Sequence, residues 1–391
     1  MELSRICEYS SRRIDSSSLT VDNYISTENM LQNKGGVVEA SKVPTEKAIE
    51  FRPGDILISN IRPYFKKIWL ADKRGGCSSD VLCIRALSGT DSTFLYYLLA
   101  QDAFFDYVMS GAKGSKMPRG DKSQIMQWDI NLPDIDEQRR VARILKSIDD
   151  KIDLNNRINH NLEEQAQALY KAWFIDFLPF KGGRFVESEL GMIPEGWSVQ
   201  RFLSIARLCS GGTPKTDQKE FWNGNIPFFT PKDVSTSAFC LTTEKTITDE
   251  GLKNCNSSLF KPYTTFITAR GTVGKLCMAG VPMAMNQTNY AICPASNIDV
   301  ITLFLITKQL INSLKNKANG AVFDAITTRD FDGEKLIIAP QSVMDAFSSM
   351  VHPIYDSILQ NEMKNASLSQ LRDSLLPKLM SGQLSINKLD S

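Results

Sequence analysis

Few residues in this chain are spaced for covalent chemistry. It has two histidines, His160 and His352, each in a helical pattern and far from any cysteine or second histidine at ligand spacing, so no zinc site is expected. The eight cysteines (7, 77, 83, 209, 240, 255, 277 and 293) form no CxxC and read as buried thiols rather than a disulfide framework. NIPF (225–228) resembles the Asx-Pro-Pro-aromatic motif of amino-methylating DNA methyltransferases. Ile226, however, stands where that motif has proline, and no glycine-rich cofactor loop precedes it. GTVGK (271–275) is too short for a phosphate loop. PDIDEQ (133–138) lacks the E-x-K of a nuclease centre. The residues point to a binder rather than an enzyme, with no cofactor held by this chain.

Binding chemistry shows instead in local charge. Net charge is +1, and residues 1–140 hold 19 Lys+Arg against 19 Asp+Glu, so any cationic surface must come from segregation. NIRPYFKKIW (60–69) carries Arg62, Lys66 and Lys67 with no acid, among Tyr64, Phe65 and Trp69. As a strand over 65–70 it would put Phe65, Lys67 and Trp69 on one face, where a cation between aromatics either stacks on bases or is merely solvated. GAKGSKMPRGDK (111–122) adds Lys113, Lys116, Arg119 and Lys122, and its three glycines let the backbone approach a phosphate closely. The second half offers Thr213 and Lys215 in SGGTPKT (210–216), Lys232, and the amides Asn286, Gln287 and Asn289 of NQTN, which suit bidentate pairing with adenine. Each segment alone also describes a solvated strand or loop. Together they point to nucleic acid.

The elements that carry these residues recur. FRPGDILISNIRPYFKKIWLA (51–71) has a counterpart in FKPYTTFITARGTVGKLCMA (260–279), aligning Phe51 with Phe260, Ile58 with Ile267, Arg62 with Arg270 and Lys67 with Lys275. Each copy is followed by a helical stretch (93–110; 301–318), a glycine-bearing loop (111–122; 319–330) and a short apolar strand ending in proline (128–133; 334–340). A long helix then follows. Heptad spacing picks out Leu145, Ile148, Ile152, Asn155, Asn159 and Leu162 in the first, and Ile354, Ile358, Asn361, Asn365 and Leu368 in the second. Asn155 and Asn159 lie 206 residues before Asn361 and Asn365, so the seam asparagines coincide and the two helices are expected to pack on each other. Leu145 to Leu169 spans about 36 Å, close to one turn of B-DNA.

The expected organisation is a first globular unit over 1–135, a helix over 136–174, a second unit over 187–340 and a helix over 343–382. Gly382 caps the last helix, Pro377 frays its final turn, and Pro353 sits in its first turn or kinks it. The N-terminus lacks a secretory apolar core and no run of about 18 apolar residues occurs, so a cytoplasmic protein without a membrane span is expected.

As a set, several motifs resemble the specificity subunit of type I restriction–modification systems. They are YISTENM (24–30), FRPGDILISNIRPYFKKIW (51–69), LPDIDEQRRVARIL (132–145), AWFIDF (172–177), GMIPEGW (191–197), SGGTPKT with FWNGNIPFFTPKDV (221–234), and LRDSLLPKLMSGQL (371–384). The resemblance implies an α+β fold: two pseudo-repeated α/β target-recognition domains separated by two long helices packed as an antiparallel coiled coil. It implies a non-catalytic subunit whose domains each read half of a bipartite DNA site. It also implies docking to two modification subunits bearing S-adenosylmethionine and two restriction subunits using ATP and Mg. Two departures stand out. Asp136-Glu137-Gln138 at the first helix start becomes Val343-Met344-Asp345 at the second, and the first unit lacks IPEGW. The rival readings are a solitary methyltransferase or nuclease, and a coiled-coil scaffold that binds protein alone.

Overall fold

The computed structural model describes residues 1–234, 237–270, 273–295, 297–317 and 325–384. The chain divides into two compact units. One comprises Met1–Ile152 with the segment from Ser367 onward, and the other comprises Asp153–Ala366. The units cut across the four expected segments, because each takes part of both long helices.

In the first unit the strand Ile56–Ser59 is buried along its whole length. Alternation explains why. Ile56 and Ile58 pack with Ile68, Leu82, Ile84 and the helical Phe94, Leu98 and Phe105, while Leu57 points the other way, onto Phe51, Cys77, Val81 and Cys83. It is the inner strand of an antiparallel sheet ordered Cys7–Tyr9, Val81–Ala86, Ile56–Ser59, Ile68–Leu70. A second four-stranded sheet is ordered Arg13–Ile14, Ala48–Phe51, Gly75–Cys77, Tyr24–Ile25.

The second unit repeats this plan. Its main sheet runs Ala206–Ser210, Asn289–Pro294, Thr265–Thr268, Leu276–Ala279, with Phe239–Cys240 added at one edge. Ile267, Met278 and Ile292 face the helices, and Phe266, Cys277 and Ala291 face the opposite core. The same turn precedes the first strand of the hairpin in each unit, Ile56–Ser59 with Ile68–Leu70 and Thr265–Thr268 with Leu276–Ala279. Gly54 (φ 89°) donates its N–H to Ala71, and Tyr263 (φ 68°) donates its N–H to Ala279. Tyr263 adopts this left-handed backbone without glycine's freedom. Its hydroxyl donates to Asp356 at 2.5 Å and its ring meets Phe239 edge-on, contacts that offset the cost.

The long helices are Ile135–Phe174 and Gln341–Met380, 40 residues each. Gln138 fixes the start of the first. Almost wholly buried, it accepts from Asp91 N–H and donates to the Pro133 and Gly89 carbonyls, while Asp134 accepts from the Glu137 N–H. Met344, 206 positions later, fills its site apolarly, which accounts for the unlike starting motifs. The second helix begins at Gln341, so Pro353 lies well inside it rather than in its first turn; its carbonyl accepts from the Ser357 hydroxyl at 2.8 Å. Gly382 (φ 74°) terminates that helix in the left-handed conformation a C-terminal cap requires.

Within each unit the helix segments run antiparallel. In the second unit Asn155 donates to Asn365 Oδ1 at 2.7 Å, and Asn361 donates to Asn159 Oδ1 at 2.9 Å. Asn365 donates to Asn156 Oδ1 at 2.8 Å, and Asn159 donates to Glu362 Oε1 at 3.0 Å. Shifting by the 206-residue repeat exchanges the members of each pair of bonds, so the ladder has pseudo-two-fold symmetry. In the first unit Arg372 Nη1 meets Asp149 Oδ1 at 2.7 Å, and the Tyr97 hydroxyl donates to Asp149 Oδ2 at 2.6 Å. Burial works against the Arg372 charge, but the Asp149 carboxylate holds that guanidinium above its ordinary pKa. The repeat-equivalent positions in the second unit are Ala166 and Tyr355, both buried, where a small and a large side chain replace the ion pair.

Candidate nucleic-acid interface

In the first unit two segments distant in sequence meet. The turn after Ile56–Ser59 places Arg62 (φ 51°) and Lys66 (φ 50°) in left-handed conformations on either side of a 3-10 turn, Pro63–Phe65. The strand resumes only at Ile68, so the expected strand over 65–70 is broken. Pro63 presets the turn's φ and the two left-handed residues reverse the chain, so Phe65, Lys67 and Trp69 do not line up by alternation. Arg62 N–H donates to Pro118 O at 2.8 Å, Ile61 bridges Arg119, and Lys113 bridges Arg119, which docks the 111–121 loop on this turn. Gly120 is needed there: a Cβ would lie 2.8 Å from Val108 Cγ1 and 2.9 Å from Asn60 Oδ1.

The cations at this junction differ in availability. Lys67 Nζ donates to Thr27 O at 2.6 Å, and burial lowers its pKa. Lys66 shares Asp102 with Lys34, at 3.0 and 3.1 Å. Burial disfavours the Asp102 charge, but the two ammonium groups overcome it and lower its pKa. Arg119 reaches Asp80 at 3.1 Å and Lys113 reaches Asp121 at 2.8 Å, both with largely exposed side chains. Lys116 and Lys122 are exposed, Lys122 lying 6.0 Å over the Tyr9 ring. Arg62 Nε and Asn60 Oδ1 are buried without a hydrogen-bond partner among the described residues. Asp80, which meets Arg119, is not readable from the sequence, where it stands in no charged or periodic pattern.

In the second unit Thr213 donates its hydroxyl to Gln287 Oε1, joining the 210–216 loop to NQTN. Asn286 Oδ1 accepts from Thr288 N, Thr288 Oγ1 and Asn289 Nδ2, so this amide shapes the turn. The Asn289 side chain is fully buried, with its Oδ1 unpartnered among the described residues. Gln287 and Lys215 are exposed, and the Lys215 carbonyl accepts from Trp222 Nε1 at 3.0 Å. Lys232 lies 3.8 Å from Glu244. Arg270 bridges Ala325 just after the strand Thr265–Thr268, at the place in the fold where Ile61 bridges Arg119. Half of the expected glycine-bearing loop over 319–330, residues 319–324, lies outside the described residues.

Lys275 lines a cavity of about 390 Å³ with Lys308, Lys315 and Glu163. Lys315 Nζ donates to Gly274 O at 3.1 Å, and Lys308 lies 3.6 Å from Glu163. Burial raises the Glu163 pKa, partly countered by Lys308. Lys308 and Lys315 were missed in the sequence, although seven-residue spacing on the helix Val300–Lys317 puts them on one face.

Among the described residues, no three His, Cys, Asp or Glu side chains are grouped to hold a metal, and no helix is long and apolar enough to cross a membrane. Each unit presents loops with exposed cations, and the second adds the exposed Gln287 amide.

Comparison with known proteins matches both units to one family model, described as "Type I restriction modification DNA specificity domain", over residues 1–164 and 194–362. The MjaIX type I restriction enzyme specificity subunit of Methanocaldococcus jannaschii is 28% identical over 357 residues, covering 88% of this chain and 82% of the relative. The HindI specificity subunit of Haemophilus influenzae is 24% identical over 443 residues, covering 96% of each. The crystal structure of a type I restriction–modification S subunit from M. genitalium has the same fold, with a TM-score of 0.59 at 16% identity, covering 97% of this chain and 95% of that one.

Proposed function

Because this chain belongs to the type I restriction–modification DNA specificity family, whose members are the non-catalytic recognition subunits of their complexes, we propose that each of its units reads one half of a bipartite double-stranded DNA site. The observation that carries this is the repeat itself. Both units keep one order of four strands in the main sheet and an antiparallel helix pairing, yet their polar loops differ: GAKGSKMPRGDK in one, SGGTPKT with NQTN in the other. A shared scaffold with unlike contact chemistry is what two readers of different half-sites require.

In this reading Lys113, Lys116, Arg119 and Lys122 hold phosphates in the first half, and Arg62 anchors the loop that carries them. Thr213, Lys215, Gln287, Arg270 and Lys275 act in the second. The long helices set the spacing of the half-sites and dock two modification subunits, which supply S-adenosylmethionine and methylate adenine. Two restriction subunits with ATP and Mg complete the assembly in the cytoplasm. The test is DNA binding by the assembled complex across a salt series. Phosphate contact predicts log affinity falling linearly with log salt. Affinity that is weak and indifferent to salt would instead mark a protein-only scaffold.

A further inference from the structure

Two of the eight cysteines lie against each other. Cys209 is in the edge strand Ala206–Ser210 of the second unit's main sheet, and Cys293 is in the neighbouring strand Asn289–Pro294. The antiparallel register pairs Cys209 with Ala291 and Cys293 with Arg207. The two thiols are therefore diagonal neighbours on one face of the sheet. Their sulfurs are 3.8 Å apart, with Cys209 donating to Cys293. Both are half-buried, whereas Cys7, Cys77, Cys83, Cys240 and Cys277 are sealed in the cores. Cys255 is also half-buried, but its thiol donates to the Leu252 carbonyl.

We propose that Cys209 and Cys293 form a redox modification site, a reversible disulfide made by a hydroperoxide. The Cys209 thiolate attacks one peroxide oxygen, the O–O bond breaks, hydroxide leaves, and Cys209 becomes a sulfenic acid. The Cys293 thiolate then attacks that sulfur and displaces a second hydroxide. The two thiol protons turn both hydroxides into water, so two thiols and one hydrogen peroxide give one disulfide and two waters. Burial and the neighbouring Cys209 push Cys293 up to about 11. Cys209, on the edge strand of the sheet, takes the first step. The sulfurs already lie within 3.8 Å, so closing the bond asks for side-chain rotation, and its half-buried position leaves it open to reduction by small thiols. When formed, it staples together two strands that lead into the 210–216 loop and out of NQTN.

The experiment uses the full reduced chain, treated with equimolar hydrogen peroxide, alkylated and mapped by peptide mass spectrometry. The expected product is a peptide linking Cys209 to Cys293, at least about tenfold above any linkage through Cys255, and lost again on incubation with reduced glutathione. Cys209→Ser and Cys293→Ser should each abolish it. Wild-type protein decides the matter even should either variant fail to fold. Free Cys209 and Cys293 after treatment, separate over-oxidation of each, or a disulfide joining two chains would overturn the proposal.

Discussion

Asp80, Asp102 and Asp121 decide which cations of the first unit remain free for a phosphate. Asp102 holds Lys66 and Lys34, Asp80 reaches Arg119, and Asp121 reaches Lys113. Exposed pairs such as Lys113–Asp121 are screened by water and contribute little, so a phosphate can compete for those cations. Lys67 is different, because its ammonium is half-buried against the Thr27 carbonyl. Lys116→Glu should therefore weaken DNA binding by the assembled complex and reduce the salt slope by about 1, with thermal stability unchanged. Lys67→Glu should lower the melting temperature instead, read by calorimetry. Glu50 gives the pH prediction. Burial opposes its charge, but Arg74 at 2.8 Å, Arg52 at 3.6 Å and Arg12 at 3.9 Å outweigh burial and lower its pKa. Its pairing thus stabilises the fold above the ordinary carboxylate range, and that contribution is lost as pH falls through the depressed folded-state value. Glu50→Gln should cost about 1–3 kcal/mol at neutral pH, and denaturant melts should show the gap to the parent closing in acid. At this scale the sequence was only partly legible. The basic loop could be read from its composition. The left-handed turn at Arg62 and Lys66 could not, because neither is a glycine and nothing in their spacing announces a reversal.

Between the two long helices, hydrogen bonds replace apolar packing where Asn155, Asn159, Asn361 and Asn365 meet. Asn155→Ala removes one partner and strands the Asn365 oxygen in a buried site, a loss of about 1–3 kcal/mol expected in a chemical melt. The double change Asn155→Leu with Asn365→Leu removes both partners. It should be near neutral for stability in the same melt, with cross-linking still reporting the antiparallel register that Asn159 keeps against Asn361 and Glu362. Heptad spacing made the seam readable in advance, and the coincidence of asparagines at 206 residues showed that the helices meet. Which asparagine faces which was not readable, since that requires the antiparallel register. Gln138 was invisible for a similar reason: its three partners come from loops that no local pattern connects to a helix start.

At the scale of the whole molecule, the repeat was the most legible feature, because strand, helix, loop and proline-ended strand recur in one order. The common sheet order was not legible. Strands of two to four residues, such as Arg13–Ile14 and Tyr24–Ile25, lie below the length at which alternation shows. The repeat carries the central claim, that each unit reads its own half-site. The most direct measurement replaces residues 1–135 with the corresponding unit of another family member and maps the DNA sites methylated in cells by the assembled complex. One half of the recognised sequence should change while the other half and the spacer stay as they were. A change in both halves, or an unaltered site, would contradict two independent readers on a repeated scaffold.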